Sequence, residues 1–277
     1  MKKYIALILM TILLPFYAEA QGSATYNVIS YNIRNSGADD GRNSWIYRRE
    51  ATLNMFRSEK PDLVGMQEVL LDQREYINNA LRGYEQIGVG RDDGHLDGEC
   101  MAIYVLRKRF KVLDSGTYWL SETPGKVSQG WDGACRRTLT WVKLRDRKTR
   151  QEIYFFNTHL DHVGRVARRE SVLLICHYVK TMVPAGTPVI ITGDFNSDLT
   201  DSIFRPLEDC GMASARDTAP VTSHKDSYNG WGKDGSVIDH IFVRDATPLT
   251  FRTLDGDYGA PFISDHYPVS LTFSITK

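Results

Sequence analysis

Polar residues with chemical potential fall at the ends of apolar, β-rich runs. Asn32 ends the run YNVISYN and Glu68 the run DLVGMQEV. His159 ends YFFNTH, and Asp194 and Asn196 follow PVIITG. Asp239 opens IDHIFV, and Asp265-His266 stand directly before the last such run, in SDHYPV. Polar side chains gathered at successive strand ends are what a cleft at the edge of a sandwich requires. Carboxylates, amides and imidazoles held there suit a hard, oxygen-ligated cation and a phosphate. Each residue also has a plainer reading. Asn32 alone is a turn residue, Glu68 a solvated strand end, and Asp194 with Asn196 the start of a loop. His159 or His266 alone is a hydrogen-bonded structural histidine. In this order, however, the readings are not independent.

The elements that must carry these residues follow from periodicity. Strands are predicted at Tyr26 to Asn32, Asp62 to Val69, Met101 to Leu106, Lys111 to Trp119, Arg137 to Leu144 and Glu152 to His159. Further strands are predicted at Pro188 to Gly193, Ile238 to Val243 and Val269 to Ile275. The run PVIITG is apolar throughout, as a strand buried on both faces would be. Helices are predicted at Trp45 to Phe56, around the stripe of Tyr76, Ile77, Ala80 and Leu81, and at Arg168 to Met182. The last carries Leu174, Ile175, Tyr178, Val179 and Met182 on one face. Many strands with a few interspersed helices predict an α+β sandwich of two packed sheets flanked by helices. Strand order does not follow from this pattern.

Composition narrows the class. The 277 residues are 42% hydrophobic and 25% charged, the make-up of an ordinary globular protein. Lys+Arg and Asp+Glu number 34 each. A protein that grips duplex DNA through its phosphates usually carries a basic surplus, so this balance argues against a general nuclease. Lys2 and Lys3, the apolar run Tyr4 to Phe16 and the small-x-small site Ala18-Glu19-Ala20 predict a signal peptide over residues 1–20. The run is shorter than the roughly 20 apolar residues of a membrane anchor. An exported chain is therefore expected, periplasmic or extracellular, with one domain over residues 21–277. Cys100, Cys135, Cys176 and Cys210 allow a disulfide in such a chain, but their wide spacing assigns no pair and no zinc site.

The segments SYNIR (Ser30 to Arg34), GMQEV (Gly65 to Val69), NTHLDHVG (Asn157 to Gly164), GDFNS (Gly193 to Ser197), IDHIFV and SDHYPV run in this order across nearly the whole mature chain. As a set they resemble the endonuclease/exonuclease/phosphatase superfamily, which includes deoxyribonucleases, deadenylases, sphingomyelinases and inositol-phosphate phosphatases. The resemblance implies a four-layer αββα sandwich with two mainly antiparallel or mixed sheets. It implies Mg²⁺, with Mn²⁺ or Ca²⁺ as alternatives. Glu68 would be the main metal carboxylate, beside Asn32 and Asp265. Asp194 would orient or deprotonate the attacking water, Asn196 position the phosphate, and His266 contact it, held by Asp239. A histidine in NTH resembles the deoxyribonuclease, deadenylase and sphingomyelinase branches. There, Glu99 in GECMAIYVLR corresponds to a glutamate that pairs with the His159 position. Such a carboxylate would fix the tautomer and raise the imidazole pKa, making His159 a general acid. Read alone, Glu99 is a solvated loop-end charge.

TYWLSETP and GWDGACRRTLTW resemble a secreted bacterial subgroup of that superfamily. Within and near them, Trp131, Arg137 and Trp231 are candidates to line the substrate pocket, an arginine for phosphate and indole faces for a ring. Their plainer reading is loop packing. The function expected is in-line hydrolysis of a phosphoester, with a phosphodiesterase or nuclease first and a phosphatase or phospholipase-type enzyme second. A non-catalytic binding module on the same scaffold is the third reading, and the intact set of residues argues against it. A monomer is expected, with a phosphoester as its partner and no protein partner implied.

Overall fold

A computed structural model of the chain describes residues 24–276. The expected signal peptide, residues 1–20, lies outside the described residues. In chain order the strands are β1 Ala24–Asn32, β2 Leu63–Val69, β3 Tyr84–Ile87, β4 Cys100–Leu106, β5 Phe110–Trp119, β6 Thr138–Asp146 and β7 Glu152–His159. They continue as β8 Val189–Asp194, β9 Ala213–Ser214, β10 Val221–Thr222, β11 Asp239–Arg244, β12 Thr247–Thr253 and β13 Val269–Ile275. The longer helices are α1 Trp45–Glu59, α2 Leu71–Ala80 and α3 Arg165–Met182, followed by the short α4 Arg205–Asp209 and α5 Ala215–Thr218.

The strands form two mixed sheets, one of seven in the order β10-β12-β13-β1-β2-β4-β3 and one of six in the order β5-β6-β7-β8-β11-β9. Three apolar layers hold the stack together. Val28, Leu63, Ile103 and Leu271 of the first sheet meet Val142, Phe155, Ile190 and Ile241 of the second. On the outer face of the first sheet, Met55 and Phe56 of α1 pack on Tyr31, Val64 and Tyr104. On the outer face of the second, Val172, Ile175 and Val179 of α3 cover Phe156 and Ile191. The result is helix, sheet, sheet, helix. Each layer hides a face that would otherwise stay wet, at roughly 25 cal/mol per Å² of apolar surface.

Two strand–helix–strand units set the geometry that matters. β1 runs parallel to β2 across α1, and β7 runs parallel to β8 across α3. Parallel neighbours need such a crossover, and both then end at the same edge of their sheet. Helix α1 stops where Lys60 adopts a left-handed conformation, φ 47°, ahead of Pro61, whose ring cannot continue it. Gly65 is required where the sheets approach most closely. A Cβ there would lie 2.1 Å from Thr192 Oγ1 and 2.6 Å from Asn157 Oδ1. Asn157 ties the sheets at that level, donating to Met66 O at 2.8 Å and accepting from Gln67 Nε2 at 2.7 Å.

Differences from the sequence expectation are local. α3 begins a turn earlier than Arg168, because Asp132 from a distant loop caps it, accepting from Ala167 N at 2.7 Å. β3, β9, β10 and β12 were not anticipated; two of them are two residues long, and β12 is half-exposed. All four cysteines are free thiols, and the Cys176 and Cys210 sulfurs meet at 2.9 Å between α3 and the end of α4.

Candidate active site

The strand registers bring the distant polar residues to one edge. His159, Asp194 and Asp239 lie directly across three adjacent strands, His159 opposite Asp194 and Asp194 opposite Asp239. In the facing sheet Asn32 ends β1, Glu68 lies near the end of β2, and Asp265-His266 lead into β13, which runs antiparallel to β1. All are therefore at the end where the parallel strands finish, the usual place for a ligand crevice in such sheets. The two sheets are bonded across it. Asn32 Nδ2 donates to Glu68 Oε1 and to Asp194 Oδ2, each at 2.9 Å.

Backbone strain is concentrated here. Arg34, Glu68, Trp131, Asn196 and Trp231 all have positive φ, between 48° and 63°. Side chains other than glycine rarely adopt that conformation, and where it persists it clusters at functional sites. At Glu68 it coincides with a break in the β2–β4 register between Met66 and Val69. Such a bulge re-aims a side chain: Gln67 stays fully buried in the layer between the sheets, while Glu68 reaches the cleft.

At the centre, His266 Nδ1 is 2.8 Å from Asp239 Oδ2, and its Nε2 is 3.7 Å from Asp194 Oδ2. Burial opposes the imidazolium, but the carboxylates of Asp239 and Asp194 outweigh it and push His266 up to about 10. Asp194 is held by Asn32 and by Asn196 N, which donates to its Oδ1 at 2.9 Å. Burial, reinforced by Asp239, pushes Asp194 up to about 7. The pair is thus a carboxylate poised near neutrality beside a charged imidazole.

The acids expected to hold a metal lie alongside. Glu68 Oε2 accepts from Asn35 N and Nδ2, each at 3.0 Å. Burial works against its charge, but the Asn32 and Asn35 donors, with His266 and Arg34, hold Glu68 below the usual carboxylate range. Asp265 goes the other way: burial raises it and Glu68 adds to the rise, against His266 and Arg34. The half-buried Glu68 and buried Asp265 carboxylates, which repel each other beside the Asn32 amide, form an oxygen-rich donor set that fits a hard divalent cation. A different trio, Asp194, Asp239 and His266, has ligand atoms that all lie within 4.8 Å of one another. Because His266 Nδ1 is engaged by Asp239, that trio reads as a hydrogen-bonded relay.

Two expectations need correction. Glu99 does not pair with His159. Its Oε2 accepts from Arg91 Nη1 at 2.5 Å, because the turn between β3 and β4 folds Arg91 back across from Glu99, with Arg91 N donating to Glu99 O. Nor is the His159 pKa raised: burial, then Arg137 and Arg91, hold it well below the ordinary value. His159 is therefore a neutral imidazole. Asn196 Nδ2 donates to Leu160 O at 3.0 Å and lies 3.1 Å from His159 Nε2, so its amide orients His159 and keeps no hydrogen for a phosphate.

The pocket candidates sit in loops at the same edge. Arg137 is buried, its Nη2 3.0 Å from His162 Nδ1 and its Nε 3.5 Å from Asp161 Oδ2. Trp131 belongs to the loop that Asp161 anchors through Ala134 N and Cys135 N. Trp231 belongs to a loop fastened to Asp265 O by Asn229 N at 2.8 Å, with the Arg48 guanidinium 5.6 Å from its ring. Sequence reasoning missed Arg34, Asn35, Arg48, Arg91 and Asp161. Asn35 and Asp161 lie within or beside the quoted segments, and that adjacency was the available signal. Arg48 is recognisable only in the fold, where it donates to the carbonyls of Ile33, Arg34, Asn43 and Ile263 beneath the cleft.

Comparison with known proteins agrees with this geometry. The sequence profile described as the Endonuclease/Exonuclease/phosphatase family matches residues 29–266. The chain belongs to that family. Its members are hydrolytic phosphoesterases that depend on a divalent metal, so the chain falls among phosphoesterases. A family protein from Bacteroides vulgatus is similar at 33% identity, covering 92% of this chain and 100% of its own, with a TM-score of 0.86. A second from Bacteroides thetaiotaomicron is 32% identical, covering 92% and 99%, with a TM-score of 0.86. A mannosyl-6-phosphatase of Bacteroides thetaiotaomicron is also 32% identical, covering 90% of this chain and 99% of its own, with a TM-score of 0.84.

Proposed function

We propose that this family member is an exported, Mg²⁺-dependent phosphatase that hydrolyses a small phosphate monoester of the sugar-phosphate type. The observation that carries the phosphoesterase reading is the convergence of Asp194, His266 and Asp239 opposite the acids Glu68 and Asp265. The monoester reading departs from the phosphodiesterase placed first on sequence. It is supported by the likeness to a protein named a mannosyl-6-phosphatase, and by a charge balance without the surplus a nucleic-acid enzyme carries. Export is supported by the leader pattern of residues 1–20.

Mg²⁺, or Mn²⁺ or Ca²⁺ in its place, would be held by Glu68, Asp265 and Asn32, and supplies polarisation of a phosphoryl oxygen. The protein's own groups do the rest. Asp194, with its pKa near neutrality, accepts the proton of the attacking water as the ester P–O bond opposite it breaks, and the departing sugar oxygen takes its proton from solvent. His266 stays protonated and donates through Nε2 toward charge that develops on the phosphoryl oxygens, while its Nδ1–H donates to Asp239, which holds the ring in place. Asn196 keeps the His159 ring in place. The test is a panel of phosphate monoesters and diesters with Mg²⁺, followed by phosphate release or chromophore. Turnover of sugar phosphates that Asp194→Ala abolishes supports the reading. Faster turnover of nucleic acid than of any monoester would overturn it.

A further inference from the structure

Outside the candidate site, two thiols lie in contact. Cys176 sits midway along α3, and Cys210 directly follows α4. Their sulfurs are 2.9 Å apart. Non-bonded heavy atoms rest at about 3.5–4.0 Å even between carbons, and sulfur is larger. A disulfide holds its sulfurs about 2.05 Å apart, so a shift of less than about 1 Å joins this pair. Cys176 Sγ donates to Pro206 O at 2.8 Å, and Cys210 Sγ to Leu207 O at 3.2 Å. With both hydrogens directed at carbonyls of α4, the two sulfurs face each other unbridged.

Both side chains are buried in the apolar layer under α3, with Ile175, Val179, Leu207 and Met212. A cysteine in such a layer by itself reads as a small apolar residue. The contact between the sulfurs goes beyond that reading, and so does their access. Cys176 forms part of the wall of a surface hollow with His177, Lys180, Pro206 and Asp209, which gives a small oxidant a path to one sulfur without unfolding. The partners of the other two cysteines carry no sulfur. Cys100 belongs to the layer between α1 and the first sheet, 4.0 Å from Gln86 Nε2, and Cys135 Sγ is 3.7 Å from Asp161 Oδ2.

We propose that Cys176 and Cys210 are a disulfide site, oxidised once the chain has left the cytoplasm, and that the bond stabilises the half of the fold that carries Asp194. This rests on the export part of the proposed function, because disulfides persist in oxidising compartments. The oxidant is a disulfide donor, glutathione disulfide or an exported dithiol oxidoreductase. One cysteine thiolate attacks a donor sulfur, the donor S–S bond breaks, and the departing donor thiolate takes up a proton. The second cysteine thiolate then attacks the sulfur of the first, forming the Cys176–Cys210 bond and releasing the other donor thiolate. The two cysteines lose two electrons and two protons, and the donor gains both. The cysteines are 34 positions apart, and the loop they close contains all of β8 with Asp194, and Asn196 beyond it. Closing that loop limits the freedom of the unfolded chain and ties α3 to α4.

For the test, the full chain is expressed in a bacterial host, located by cell fractionation, purified, and equilibrated in glutathione buffers from reducing to oxidising. Free thiols are then alkylated in denaturant and the peptides mapped by mass spectrometry. In the oxidising buffer the protein should be lighter by two hydrogen atoms. Cys100 and Cys135 should alkylate, and the peptides of Cys176 and Cys210 should run as one linked species. Reduction should lower the Tm of the wild type by about 5–15 °C and leave that of Cys176→Ala and Cys210→Ala unmoved. If neither variant folds, the linkage and the Tm of the wild type decide. Four alkylated cysteines in the oxidising buffer, linkage of any other pair, or a wild-type Tm indifferent to reduction would overturn the proposal. A cytoplasmic chain with its leader uncleaved, whose purified form still links Cys176 to Cys210, would overturn export and leave the site standing.

Discussion

Replacing Asp194 by Asn should change stability in a pH-dependent way that a structural residue would not. The side chain is buried, and its pKa of about 7 in the fold stands well above the ordinary value of 3.8. At about 1.4 kcal/mol per unit, the ionised carboxylate destabilises the fold by roughly 4 kcal/mol once pH exceeds both values. Below 3.8 it is neutral in both states and contributes nothing. The penalty accumulates between the two, reaching only about 2 kcal/mol at pH 5. Asparagine does not titrate, but it cannot accept from both Asn32 Nδ2 and Asn196 N as Asp194 does, a mismatch of about 1–3 kcal/mol. His266, pushed up to about 10, stays charged over this range and does not blur the comparison. Measured in EDTA, Asp194→Asn should therefore melt above the wild type at pH 8 and level with or below it at pH 5. The swing of about 2–3 kcal/mol corresponds to roughly 5–10 °C in Tm. With Mg²⁺, turnover should fall on the order of 10³-fold, about 4 kcal/mol of barrier. A Tm difference that ignores pH would refute the buried-carboxylate argument.

Glu68→Gln should raise the Mg²⁺ concentration needed for half-maximal activity by about 10-fold or more, since a hard cation depends on carboxylate charge; a metal titration checks it. Gly65→Ala should lower stability by about 2–3 kcal/mol in urea melts while sparing the activity of molecules that remain folded, because its Cβ meets Thr192 and Asn157 rather than the cleft. Arg48→Met should cost about 3 kcal/mol or more by leaving the carbonyls of Ile33, Arg34 and Ile263 unpaired, and should depress kcat as well, since those segments carry Asn32 and Asp265. In Asp239→Asn the stability that His266 contributes, present below about 6.5 and lost through about 10 in the wild type, should largely vanish from a Tm-against-pH profile.

The edge that carries the candidate site was legible because strand ends leave a local signature. PVIITG-D and YFFNT-H read as buried strands that stop at a polar residue, and parallel pairing then brings both ends together. Glu68 was legible by type and place, but not its left-handed backbone, which only the bulge between β2 and β4 explains. Glu99 was misread because its true partner, Arg91, comes from the other side of a turn, and no periodicity links the two. The early start of α3 depended likewise on Asp132, more than 30 positions away and delivered by tertiary contact. The strands β9 and β10, each two residues long, carry too few side chains to show an alternation.

The central claim is that one metal-assisted site, with Asp194 as its proton acceptor, hydrolyses a phosphate monoester. The direct measurement is inorganic phosphate released from a hexose 6-phosphate by the purified protein across a Mg²⁺ titration, with Asp194→Ala alongside. The account predicts saturable release that EDTA abolishes, Mg²⁺ restores and the variant lacks. Release that persists undiminished in Asp194→Ala would contradict it.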